Sequence, residues 1–141
     1  MNSNNAIPIK DNANDGGFTR GKGLLEPFLA RRRAQTADQL IPPKLRQGRI
    51  LDIGCGTYPY FLAHTEFEKK FAIDQLPMPN HIASNLKIEG FSLNLNQKPS
   101  LPFDNDFFNI VTLLAVVEHL NPESMAVIFR EIHRVLRPVA E

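Results

Sequence analysis

The sequence predicts an α/β fold, a Rossmann-like doubly wound parallel sheet with strand order 3-2-1-4, and three observations carry that prediction. Ile50-Leu51-Asp52-Ile53 is an apolar strand with an acid near its tip, and it opens at once into the turn Gly54-Cys55-Gly56. After a spacing of roughly twenty residues, which suits a crossover back to a parallel neighbour, Lys70-Phe71-Ala72-Ile73-Asp74 repeats the pattern and again ends in an acid. Farther on, Asn109-Ile110-Val111-Thr112-Leu113-Leu114 reads as a nearly continuous apolar run, the mark of a strand covered on both faces.

The glycine turn carries the most chemistry. Glycine lacks a Cβ, so the backbone at Gly54 and Gly56 can turn sharply and approach a ligand closely. A helix starting after the turn would present free N–H groups and a positive dipole end to an anion. A dinucleotide fold calls for Gly-x-Gly-x-x-Gly, but here Thr57, Tyr58 and Pro59 follow Gly56 and the third glycine is missing. Asp52 would also repel a pyrophosphate. A cationic, nucleoside-containing ligand fits better, and Asp74 at the second strand end can accept both ribose hydroxyls. A nicotinamide-dependent enzyme stays as the weaker alternative.

The stretch LDIGCGTYPYFL resembles motif I of the class I S-adenosylmethionine-dependent methyltransferases, and LPFDNDFFNIVTLLAVVEHL is similar to their third and fourth strand regions. The resemblance runs from about Gly48 to Pro138. It implies S-adenosyl-L-methionine as cofactor and a methyl transfer to a small-molecule or cell-surface-precursor acceptor. By the same resemblance Asp52 lies near the methionine ammonium, with the backbone of Gly54, Cys55 and Gly56 alongside. Asp74 and Gln75 serve the ribose side, and Asn94 with Leu95 the adenine, Asn94 replacing the usual acid. Ala115 lines the methionine end, Glu118 faces the acceptor, and His119 is the candidate general base.

The family's last helix is normally followed by a Pro-Gly-Gly turn and three more strands, whereas this sequence reads Pro138-Val139-Ala140-Glu141. The resemblance thus implies an incomplete domain with Asn109–Leu114 at a sheet edge, open to pairing with another strand. A non-catalytic remnant with weak or no cofactor binding is the corresponding alternative function.

Three segments are expected: a disordered tail over 1–17, a helical cap over 18–47 and the incomplete cofactor domain over 48–141. The tail is rich in Asn, Asp and Gly without recurring apolar residues. The cap should hold an amphipathic helix over Leu24–Leu40, with Leu24, Leu25, Phe28, Leu29, Ala37, Leu40 and Ile41 mostly on one face and Pro42-Pro43 stopping it. Its charge is lopsided, with Arg20, Lys22, Arg31, Arg32, Arg33, Lys44, Arg46 and Arg49 against Glu26 and Asp38. A solvated face explains this most simply; an anionic surface or acceptor meeting Arg31–Arg33 is the sharper reading, and a partner interface a third.

Tyr60–Glu68 is the expected first crossover helix, followed by a loop in which Leu76 can support an adenine, and 80–90 a weak helix. Phe91–Asn96 should form the third strand. Asn121-Pro122-Glu123 marks a helix start by cap, proline and acid, and the stripe Met125, Ile128, Phe129, Ile132, Val135 and Leu136 is core.

The 141 residues allow one modest domain, and a net charge of +1 gives no case for nucleic acid. No apolar run approaches the roughly 20 residues that span a bilayer, so no membrane insertion is expected. One cysteine and no signal-peptide core suit a cytoplasmic location. His64, His81 and His133 lack partners at ligand spacing, so no metal site is expected.

Overall fold

The computed structural model describes residues 25–139, so the expected tail over 1–17 lies outside them, as does Leu24. Helix α1 (Glu26–Leu40) precedes strand β1 (Arg49–Ile53), the short helix α2 (Tyr60–Ala63) and strand β2 (Lys69–Asp74). Helix α3 (Asn80–Leu86), strand β3 (Ile88–Ser92), strand β4 (Ile110–Thr112) and helix α4 (Pro122–Val135) complete it. The four strands are parallel and lie in the order β3-β2-β1-β4, as the sequence predicts.

Side chains alternate between sheet faces along a strand, which splits the core in two. Leu51, Ile53, Phe71 and Ile73 pack with Ile128, Ile132 and Val135 of α4. Ile50 and Ala72 face the other way, into a cluster with Ala34 and Ile41 from the α1 segment and Phe61 and Leu62 of α2. Asp52 and Asp74 share the parity of this second face.

Helix α1 forms, but its large apolar side chains do not make its buried face. Leu25, Phe28, Leu29 and Leu40 are exposed, while Ala34 is buried and Ala37 packs on the same cluster. Small residues let the helix axis come close to Phe61, so the alanine stripe wins the contact. A polar clamp fixes the far end. Thr65, buried, donates to Asp38 Oδ1 at 2.5 Å, and Arg46 donates to Asp38 Oδ1 at 2.8 Å and to the Asp38 carbonyl at 2.7 Å. The Thr65 hydroxyl and the Arg46 guanidinium hold the Asp38 carboxyl below its usual pKa.

Three expected elements differ. The first crossover helix is one turn, Tyr60–Ala63, instead of running to Glu68. Thr65 is drawn to Asp38, and Lys70 Nζ caps the helix by donating to the Leu62 carbonyl at 2.9 Å. The third strand is Ile88–Ser92 rather than Phe91–Asn96. Asn94 ends the extended run because its side-chain oxygen accepts from Asn96 N at 3.1 Å, a local turn that competes with the sheet. β4 spans Ile110–Thr112 instead of Asn109–Leu114, and Asn109 closes the strand start by accepting from Arg49 N at 2.9 Å.

Between β3 and β4 the chain lacks a helix and is held by Arg134 of α4. That guanidinium donates to the carbonyls of Leu101 and Phe103 and pairs with Glu131 at 2.7 Å. The hydrogen bond from Arg134 pushes the Glu131 carboxyl down to about 2. Asn121 caps α4 as expected, accepting from Ser124 N at 2.8 Å. Among the described residues β4 lies at the end of the sheet, preceded by one parallel bridge between Phe108 and Leu136.

Replacing the buried Thr65 by Val leaves Asp38 short of a donor and should destabilise the fold by about 1–3 kcal/mol. Urea unfolding followed by circular dichroism reads this out; an unchanged midpoint would mean that the clamp does not hold α1.

Candidate functional site

β1 and β2 pair with Ile53 opposite Ile73 and Asp52 opposite Ala72, so the two acids share a face at the C-terminal end of the sheet, with Asp74 two residues farther along. This is where ligands bind in open parallel α/β folds. The turn after β1 is glycine by necessity. Gly54 and Gly56 have φ of 78° and 71°, in the left-handed region that other residues avoid. A Cβ on Gly54 would overlap the side chain of Val116. Gly54 N donates to the Ile73 carbonyl at 2.7 Å, and Gly56 N donates to Asp74 Oδ2 at 2.9 Å.

These bonds revise one expectation. The N–H groups of Gly54 and Gly56 turn toward β2 rather than toward an anion, and the helix that follows is a single turn with little dipole. Those two N–H groups are therefore spent within the protein rather than turned to an anion.

The turn divides two cavities. One, about 110 Å³, is lined by Asp52, Gly54, Cys55, Gly56 and Ala115, by Tyr58 and Tyr60, and by Glu26 and Arg33 of α1. The other, about 290 Å³, is lined by Gly54, Asp74, Gln75, Asn94 and Leu95, and by Val116 and His119. Small-molecule sites usually hold about 300–1,000 Å³, so a nucleoside-sized ligand needs both. Val116, buried against Gly54, lines the larger one, and Gly54 lines both.

Asp52 is buried, and among the described residues its one hydrogen-bond partner is Thr112, whose hydroxyl donates to Oδ1 at 2.7 Å. Burial, helped by the neighbouring charge of Asp74 and opposed by the Thr112 bond, raises its pKa to about 7. A buried acid held near neutrality beside a cavity fits a ligand that brings a cation. Asp74 is also buried; its two oxygens accept from Gly56 N and from Leu76 N at 3.0 Å. Asp74 lines the larger cavity, where a carboxylate can accept ribose hydroxyls. These two acids fit the cofactor that the sequence implies.

The remaining expected residues divide less neatly. Cys55 is half-buried in the turn, and its thiol donates to the Gly56 carbonyl at 3.2 Å. Glu118 and His119 lie on a 3-10 turn, both side chains exposed and 3.8 Å apart, and Glu118 lines neither cavity. His119 lines the Asp74 cavity, whereas Ala115 lines the Asp52 cavity. Leu76 is exposed and lines neither cavity. Thr112, Val116, Glu26 and Tyr58 were not singled out from sequence. The lone hydroxyl inside the apolar run Ile110–Leu114 was a usable signal for Thr112.

The chain belongs to the methyltransferase domain family, whose model matches residues 51–140. No curated protein sequence matches it. Among solved structures, it is similar to the 1,6-didemethyltoxoflavin N1-methyltransferase of Burkholderia thailandensis, solved with 1,6-didemethyltoxoflavin and S-adenosylhomocysteine bound. Identity there is 19% and TM-score 0.60, over 79% of this chain and 51% of that one. An S-adenosylmethionine-dependent methyltransferase from Mesorhizobium loti gives 18% and 0.54, over 78% and 51%. The 4+2 cyclase SpnF gives 22% and 0.60, over 86% and 46%. The chain spans about half the length of these structures. They share its fold, and the cyclase among them shows that this fold does not fix the reaction.

The Asp52 pKa sets a pH dependence. An unfolded Asp titrates near 3.9, so ionising Asp52 in the folded chain costs stability as pH rises from about 4 to about 7. Below about pH 4 there is no penalty. Asp52→Asn should remove that slope and stabilise the ligand-free protein at pH 8 by roughly 4 kcal/mol at most. Thermal melts from pH 4 to 8 check this, and parallel curves for the two proteins would refute it.

Proposed function

We propose that this domain binds S-adenosylmethionine across the C-terminal ends of β1 and β2 and transfers its methyl group to a small-molecule acceptor. The observation that carries the reading is the pair Asp52 and Asp74, on one face at the C-terminal ends of adjacent parallel strands and flanking a turn with two left-handed glycines. The cofactor supplies a methyl group already activated on a sulfonium, so the protein's work is positioning and water exclusion.

Asp52 holds the ammonium of the methionine moiety and gives up its own proton as that cation arrives. The Gly54-Cys55-Gly56 backbone lies along the same moiety, and Ala115 is small enough to leave the transferring end accessible. Asp74 accepts the ribose hydroxyls beside Gln75, while Asn94 and Leu95 border the adenine. His119 shapes the nucleoside cavity, Glu118 stands outside it on the acceptor approach, and neither moves a proton. Within the expected cap over 18–47, α1 forms the roof over the Asp52 cavity. The reading includes a cytoplasmic setting, where a thiol in the cofactor turn stays reduced. Among the described residues no helix is long and apolar enough to cross a membrane. Pairing of another strand onto the β4 edge belongs to the same reading.

Calorimetric titration with S-adenosylhomocysteine tests this. Binding in the micromolar range is expected, weakened at least about tenfold by Asp74→Ala, the loss of a charged hydrogen bond. Affinity should rise with pH from 5 to 7.5 as Asp52 ionises. A folded sample that gives no heat would favour a remnant without cofactor binding; heat with NADH instead would restore the nicotinamide alternative.

A further inference from the structure

Resting on the cofactor reading, we propose that Arg33, held by Glu26, is the residue that selects an anionic acceptor for the Asp52 cavity. Arg33 is the cation among the described residues lining that cavity, where the other ionised or ionisable side chains are Glu26 and Asp52 and the tyrosines 58 and 60. Its neighbours on the same helix point elsewhere. Arg32 stacks over Phe28 at 6.0 Å on the outer face, and Arg31 lines a separate groove with Gln35 and Gln39. The basic run Arg31-Arg32-Arg33 is thus three residues with three addresses, and one of them opens on the site.

Arg33 Nη2 donates to Glu26 Oε1 at 2.7 Å through a single contact. Glu26 and Arg33 are seven residues apart, two helical turns, and so share a face of α1. Between them Ala30, also on the cavity wall, leaves space under the pair. A guanidinium has five N–H donors in a planar fork, and among the described residues Glu26 takes one of them. A carboxylate or phosphate can take the free edge bidentately while Glu26 keeps the side chain aimed at the cavity.

Depth separates this anion from the cofactor. Asp52 is 4% exposed at the floor, whereas the side chains of Arg33 and Glu26 are 37% and 23% exposed at the mouth. The cationic end of the cofactor belongs with the floor, and what passes the mouth is the acceptor. The wall between is Tyr58, Tyr60, Phe61 and Leu114, a lining for an apolar or aromatic body. The acceptor class that fits is a small aromatic or aliphatic molecule bearing a carboxylate or phosphate. Glu26 also penalises such an anion while paired, so it tunes the affinity downward.

Benzoate and its neutral isostere benzamide, titrated by ligand-observed NMR into the full chain with and without S-adenosylhomocysteine, test the proposal. Wild type should prefer benzoate by about tenfold, the usual worth of a charged hydrogen bond at a half-exposed site. Arg33→Met should erase that preference while S-adenosylhomocysteine affinity stays within about threefold. Glu26→Gln should strengthen benzoate and leave benzamide unchanged. Equal binding of the two probes to wild type overturns the proposal. So does a preference that survives Arg33→Met, or an Arg33→Met variant that loses S-adenosylhomocysteine instead, which would give Arg33 to the cofactor. If S-adenosylhomocysteine fails to bind wild type, the cofactor reading falls, and the benzoate preference measured without it still decides the role of Arg33.

Discussion

The site depends on the register in which β1 pairs with β2. Because Ile53 lies opposite Ile73, Asp52 and Asp74 emerge on the same face, and Gly54 N reaches the Ile73 carbonyl at 2.7 Å. A slip of one residue would send each acid into the α4 core, where neither could ionise or meet a ligand. The left-handed glycines follow from this constraint, since the chain must leave β1 while still bonded to β2. Asp74 then locks the turn by accepting from Gly56, so one carboxylate both shapes the loop and faces the cavity.

α1 walls one side of that strand-end crevice. Its alanine stripe permits close approach, and the clamp of Asp38 with Arg46 and Thr65 anchors its far end. The near end, with Glu26 and Arg33, hangs over Asp52. The helix is therefore built inside out relative to an ordinary amphipathic helix: small residues inward, Leu25, Phe28 and Leu29 outward.

That inversion marks where sequence reasoning stopped. Strand existence and order were legible, because apolar runs ending in acids and glycines encode both the face and the turn. The reversed face of α1 was not, since counting large apolar residues ignores how closely two backbones can pack. The length of α2 was not legible either; it depends on Thr65 finding a partner twenty-seven residues earlier. Asp52 and Asp74 could be read from sequence because their strands fix them locally. Which cavity His119 lines was not legible, because it depends on contacts such as that of Asn96 with the His119 carbonyl, between distant segments that no spacing reveals.

Val116 ties the turn to the segment after β4. Its side chain fills the space where a Cβ on residue 54 would sit, so glycine there is required by the neighbour as well as by the backbone angle. Because Gly54 lines both cavities, a larger residue at this one position would distort both sides of the site at once.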